Sequence, residues 1–214
     1  MINRIELKNK AKESLNNKYF ESIKLLLTLF IISLGFEIIY ALITHFTTLD
    51  SSNIYNIFTN VIELIITGTI SFGYISFFLK ISRDENVTSD ELFSKADMLP
   101  IYIVSSILIG IFTFLGAIFF IIPGIIIAIS LSQTFYILLD NPTMNIKEAL
   151  LLSKKMMNGY KLEFFILKLS FLGWLILGIF TFGILYLWLI PYMNVTEANF
   201  YNEIKEIYNK KNLE

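Results

Sequence analysis

Four long apolar blocks, with all but one of the positive charges confined to one set of the segments around them, constrain this chain more than any other feature. The blocks are Leu25–Ile43, Ile57–Leu79, Ile101–Leu139 and Leu162–Ala198. A bilayer core of roughly 30 Å takes about 20 apolar residues of helix. The first two blocks are therefore one span each. Each of the last two would reach about 58 Å as a straight helix at 1.5 Å per residue, so each folds back into two spans. With 55% hydrophobic and 16% charged residues, the 214-residue chain carries more apolar surface than a soluble domain of this length can hide. The expected class is all-α: a polytopic membrane helix bundle of six transmembrane helices with cytoplasmic amphipathic helices, forming a single membrane domain over 1–214.

The charge distribution orients that bundle. The arm through Lys24 carries six Lys or Arg, the Lys80–Lys95 loop three, Lys147–Lys161 four and the tail three, with Lys168 just inside a span. The alternate turns carry none. Short loops obey the positive-inside rule, which places both termini on the cytoplasmic side. The first block follows some two dozen polar residues and lacks a small-residue cleavage site, so a retained span is expected there.

The expected spans are about 24–44, 57–79, 101–122, 124–140, 161–180 and 183–200. Pro123-Gly124 sets the turn of the first hairpin, since proline is costly inside a helix and glycine permits a reversal. Thr181-Phe182-Gly183 punctuates the second. Thr88 or Ser89 is placed to cap a short helix, and Pro100 suits the first turn of the third span. In the arm, 1–22, Leu7, Ala11 and Leu15 make a stripe at i, i+4, i+8, read as a helix on the membrane surface. At 100° per residue, a helix over 145–158 gathers Ile146, Ala149, Leu150, Leu152, Met156 and Met157 on one face. Lys147, Glu148, Lys154, Lys155 and Asn158 gather opposite. It is read as interfacial, with Lys147, Lys154 and Lys155 meeting anionic lipid. Residues 201–214 form a polar tail.

From Pro123 onward the order of residues resembles a known family. It runs Ile122-Pro-Gly-Ile125, Tyr136-Ile-Leu-Leu-Asp140-Asn141-Pro142, Glu148-Ala149, Ser153-Lys-Lys-Met-Met157 and Gly159-Tyr-Lys161. Leu169-Ser-Phe-Leu-Gly-Trp174 and Leu187-Trp-Leu-Ile-Pro-Tyr192 follow. This pattern is similar to the bacterial integral-membrane family catalogued as domain of unknown function 975, over about the C-terminal half. The family often has His where Tyr160 stands. The resemblance implies a six-span bacterial membrane protein with no established activity.

Ionisable groups inside spans are costly, so each is a functional candidate. Glu37 and Glu63 sit at equal depth, roughly 9 Å below the outer boundary, on spans joined by a short loop. Two carboxylates in a dry site raise a pKa or recruit a cation, so they form a candidate proton or cation site with His45 at its mouth. The competing reading puts them on different helix faces, each satisfied alone. Gln133, Lys168 and Glu197 share a depth near the inner end, with Asn194 close by. They read either as a structural ion pair or as the polar floor of a cavity. Gly124, Ala128 and Ser132 form a small-residue ladder suited to close helix packing.

The chain has no Cys and a single His, which excludes disulfides, thiolate chemistry and a multi-histidine metal cluster. Its net charge of −1 gives no argument for nucleic acid. No nucleophile elbow, phosphate loop or histidine metal motif occurs. No cofactor is expected. The favoured function is a non-enzymatic interaction, envelope-stress or immunity-type membrane factor with a lipid, membrane-protein or peptide partner. The alternative is a small transporter or proton/cation permeation pathway. A lipid-modifying enzyme would need Asp140, Lys161 or Glu163 to converge.

Overall fold

The computed structural model of the protein describes residues 2–46 and 53–212. Among these, the chain is helical with no strand: α1 (Arg4–Leu15), α2 (Tyr19–Phe46), α3 (Asn53–Ser82), α4 (Leu99–Phe119) and α5 (Ile121–Leu131). Then come α6 (Thr134–Asp140), α7 (Ile146–Met156), α8 (Lys161–Leu169), α9 (Leu172–Phe180) and α10 (Tyr186–Lys211). Two short 3-10 turns, Ser89–Phe93 and Ala96–Met98, lead into α4, whose first turn contains Pro100 as expected.

Five helical segments among the described residues are long and apolar enough to cross a membrane: Tyr19–Ile43, Thr59–Ser82, Ser89–Ile118, Ile121–Asp140 and Lys161–Phe180. The fourth is α5 and α6 in series, bent at Ser132-Gln133, and the fifth is α8 and α9, bent at Ser170-Phe171. The first four expected spans and the fifth thus each have a helical counterpart. The expected sixth span and separate tail do not divide. Both belong to α10, which runs unbroken through Pro191 and is half polar.

The first hairpin turns earlier than expected. Phe120 is extended between α4 and α5 (φ −165°, ψ 152°), and Pro123-Gly124 lies within the first turn of α5. There the N–H that proline lacks would have no helical partner in any case. Gly124 has a different use. A Cβ on it would stand 2.9 Å from the Ala117 Cβ and 3.0 Å from the Ala117 backbone, so its small size lets α5 lie against α4. The second hairpin turns at Thr181-Phe182-Gly183 as expected, with positive φ at Phe182 (51°) and Gly183 (86°).

The buried core is gathered at the basic end of the bundle. Leu7, Ala11 and Leu15 are buried, but against α3 and α10 instead of a membrane surface. They pack in two adjoining clusters, one with Phe72, Tyr136, Phe164, Phe200 and Tyr201, the other with Phe77, Phe78, Leu92 and Val195. In α2, by contrast, no residue from Leu26 to Ile43 is buried, and in α3 none from Thr59 to Thr67 is. Leu34, Ile38, Ile39, Leu42, Val61, Leu64 and Ile65 all face outward. Helices apolar on every side with little protein around them are suited to lipid, not water.

Gly73 fixes how the Ser89–Phe93 turn docks on α3. A Cβ there would fall 2.1 Å from the Leu92 carbonyl oxygen, and backbone cannot yield as a side-chain tip can. Gly73→Ala is therefore expected to destabilise the protein by about 1–3 kcal/mol, the usual range for overpacking, despite alanine's better helix propensity. A lowered thermal midpoint in detergent tests this, and an unchanged or raised midpoint refutes the docking.

Candidate functional site

The densest polar cluster is one the sequence did not single out. Asp140 ends α6, and its carboxylate accepts two hydrogen bonds of 2.8 Å from the Arg83 guanidinium, just beyond α3. The Tyr201 hydroxyl of α10 donates to it at 2.8 Å, and the Lys205 ammonium pairs with the same oxygen. Arg83 also donates to Asn202, whose amide donates to the Ser82 hydroxyl. Only 10% of the Asp140 side chain is exposed, against 32% for Arg83 and 37% for Lys205. Burial disfavours the Arg83 charge, but the bonds and field of Asp140 outweigh it and hold its pKa above the ordinary value. Burial, with the Asp140 carboxylate beside it, pushes the Tyr201 phenol up. The cluster ties the ends of α3 and α6 to the body of α10. Nearby, the Glu91 carboxylate accepts from Lys80 (2.8 Å), Ser76 (2.9 Å) and Ser94 (2.8 Å), pinning the 3-10 turn to α3.

The expected inner set is partly assembled. Lys168 pairs with Glu197 across α8 and α10, as opposite charges at one depth should. Asn194 donates to the Tyr74 hydroxyl (2.9 Å), so α3 joins the same face of α10. Gln133 does not join them. It is buried at the bend between α5 and α6, where its N–H donates to the Ser153 hydroxyl (3.3 Å) and its amide donates to Ser132 (2.8 Å). Ser153 in turn donates to the Ser130 carbonyl (2.8 Å), so α7 supplies partners that the bend removes from the helix. Equal depth counted along the chain did not register that a bend re-aims the side chain.

Glu37 and Glu63 are brought together. Both line a cavity of about 260 Å³ between α2 and α3 with Ser33 and Thr67, and a second of about 250 Å³ with Tyr40, Thr59 and Asn60. Neither carboxylate has a hydrogen bond or ion pair among the described residues, and both residues are exposed toward the groove or the bundle's periphery. His45 is exposed on α2 but lines neither cavity.

On α7 the Asn145 side chain accepts from the Lys147 N–H (2.9 Å) as the N-cap. Ala149, Leu150, Ser153, Met156 and Met157 are buried against protein, while Lys147, Glu148, Leu151, Lys154 and Lys155 are exposed. The apolar face expected to meet the membrane is therefore largely covered by the bundle. Lys154, Lys155 and Lys161 meet around one open cavity with Leu151 and Asn158, and none of the three forms an ion pair among the described residues. Asp140, Lys161 and Glu163 occupy separate surroundings. Asp140 is in the clamp, Lys161 is beside Lys154, and Glu163 accepts the Ile2 N–H (3.1 Å). Among the described residues, no group of three or more His, Asp or Glu is arranged to hold a metal ion.

A family model described as Protein of unknown function (DUF975) matches residues 1–131 and 117–208. No curated protein and no solved structure matches the chain.

Removing one partner of a fully buried ion pair costs about 3–5 kcal/mol because a charge is left stranded. Arg83 and Lys205 retain water contact, so Asp140→Asn is expected to cost less, about 1–3 kcal/mol. Glu206→Gln, which breaks the exposed pair with Lys210, should leave the thermal midpoint in detergent unchanged. Equal midpoints for Asp140→Asn and wild type would show that the clamp does not hold the helix ends.

Proposed function

The chain belongs to the DUF975 family of proteins of unknown function, and from that premise we propose that it is a non-enzymatic, multi-pass protein of a bacterial plasma membrane that acts by interaction at the inner leaflet. The observation that carries the reading is a division among the charged groups. Arg83, Lys205 and Asp140, Lys80 and Glu91, and Lys168 and Glu197 are paired with each other between helices. Lys147, Lys154, Lys155 and Lys161 form no ion pair among the described residues, and crowd one side of α7 and the start of α8. Unpaired lysines at a membrane boundary gain about 1 kcal/mol each from an anionic leaflet.

In this reading both termini are cytoplasmic and the first part of α10 makes a sixth crossing. What supports this despite its low apolarity is that most of its polar groups engage protein: Asn194 pairs with Tyr74, Glu197 with Lys168, and the Asn199 amide donates to the Leu7 carbonyl, while the buried Asn199 Oδ1 has no partner among the described residues. The chain has no Cys, so single cysteines report sidedness directly. Phe182→Cys is expected to react with an impermeant thiol reagent in intact cells. Lys211→Cys should react only after permeabilisation. Labelling of both from one side would remove the sixth crossing, and labelling of Lys211→Cys in intact cells would reverse the orientation.

A second reading is a proton or cation pathway, favoured by the cavities that Glu37 and Glu63 share. It predicts ion flux in proteoliposomes that Glu63→Gln reduces at least roughly tenfold, the factor of 1.4 kcal/mol. Flux equal to that of empty liposomes, with inserted protein, excludes it for the ions tested.

A further inference from the structure

An apolar groove of about 360 Å³ adjoins the unpaired lysines. Phe112 of α4, Ile126 and Leu131 of α5, and Leu150 and Leu151 of α7 form its walls, and Lys154 and Lys161 stand at its mouth. Leu151, Lys154 and Lys161 also line the neighbouring basic cavity of about 380 Å³, where Lys155 and Asn158 join them. The two spaces are therefore continuous, one apolar and one cationic. The sole hydroxyl in the groove, Ser130, already donates to the Ile126 carbonyl at 2.6 Å, so the groove asks no polar group of its occupant. The cationic part lacks internal compensation. Lys161 is the first residue of α8, Tyr160 before it provides no side-chain cap, and a cation at a helix N-terminus opposes the helix dipole. An anion placed among the three ammonium groups would relieve that opposition.

Resting on the inner-leaflet reading, we propose that this groove and its lysines form a discrete site for one anionic phospholipid. The phosphate lies among Lys154, Lys155 and Lys161, and an acyl chain lies along Phe112, Ile126 and Leu131. A free phosphate would use the lysines and leave the groove empty. A zwitterionic lipid would fill the groove and bring its own cation toward the lysines. Only an anionic lipid complements both parts. Lysine, a point charge on a flexible stem, suits a headgroup that arrives in many orientations.

The test is native mass spectrometry of the full chain in detergent, titrated with dioleoyl phosphatidylglycerol or dioleoyl phosphatidylcholine. Wild type is expected to retain one phosphatidylglycerol and to retain phosphatidylcholine far less. Lys154→Gln with Lys161→Gln should weaken retention roughly thirtyfold, two boundary lysines' share. Leu151→Gln changes an exposed wall residue without charge, so it should fold normally and still weaken retention several-fold. Lys10→Gln with Lys95→Gln removes equal charge elsewhere and should change nothing. Equal losses in the two lysine pairs would reduce the site to diffuse attraction. Equal retention of both lipids, or no effect of Leu151→Gln, would overturn the groove. Displacement of the lipid by glycerol 3-phosphate at comparable concentration would make it a free-anion site. Each of these outcomes leaves the cysteine labelling at Phe182 and Lys211 untouched, so loss of the lipid site and loss of the inner-leaflet reading are told apart.

Discussion

The Asp140 carboxylate holds the ends of α3 and α6 against the body of α10, joining residues that the sequence scatters over more than a hundred positions. Arg83 follows α3, Asp140 closes α6, and Tyr201 and Lys205 belong to α10. Around a largely desolvated carboxylate, two cations and a phenol all donate, one bond reaching Oδ1 and three reaching Oδ2. Such a cluster tolerates little displacement, because moving one helix end strands a charge. It lies where the buried aromatic core also lies, with Tyr136 stacked on Tyr201 at 5.0 Å. Charge and packing thus reinforce each other at one end of the bundle. In the far halves of α2 and α3 no residue of 26–43 or 59–67 is buried, and the two helices meet across a groove containing Glu37 and Glu63.

The same principle accounts for α10. By hydropathy it is the weakest of the expected spans, since it carries Asn194, Thr196, Glu197 and Asn199 within two turns. Every one of these has a hydrogen-bond or ion-pair partner: Tyr74, the Tyr192 carbonyl, Lys168 and the Leu7 carbonyl. A helix surrounded by α1, α3 and α8 can carry polar residues that one facing lipid could not. The amphipathic stripe of α1 serves this enclosure. Leu7, Ala11 and Leu15 cover α10, which is why they are buried against protein and not spread on a surface.

Much of this was legible from periodicity and length. The long apolar blocks became helices, the second hairpin turned at Thr181-Phe182-Gly183, and α7 divided its faces as the 100° wheel requires. The Lys168–Glu197 pair followed from opposite signs at one depth. What escaped was set by tertiary geometry. Pro123 is compatible with a turn or with the first turn of a helix, and only the Gly124–Ala117 approach decides between them. Gln133 shares a depth with Lys168, but at the bend in its helix its side chain turns to Ser132 while its backbone N–H donates to Ser153. The clamp was hidden because Arg83 and Asp140 lie in short polar segments, where charges are ordinarily solvated, and nothing local shows that they face each other.

The division of charges then bears on what kind of surface the protein offers. A chain under pressure only to fold would be expected to neutralise a cluster such as Lys154, Lys155 and Lys161, since like charges around one cavity repel and oppose the α8 dipole. Carboxylates are at hand: Glu148 lies on the same exposed side of α7, and Glu163 is two residues from Lys161. Neither pairs with these lysines, and Glu163 is instead engaged by the Ile2 N–H, which ties the start of the chain to α8. Repulsion left standing beside an apolar groove is a local cost to stability. An anionic lipid would offset it, with the bilayer supplying the missing carboxylate's role as phosphate. On that argument the bundle's rigid, clamped end and its lipid-complementary surface are one feature, because the clamp fixes α6 and, through it, the approach of α7 that presents the lysines.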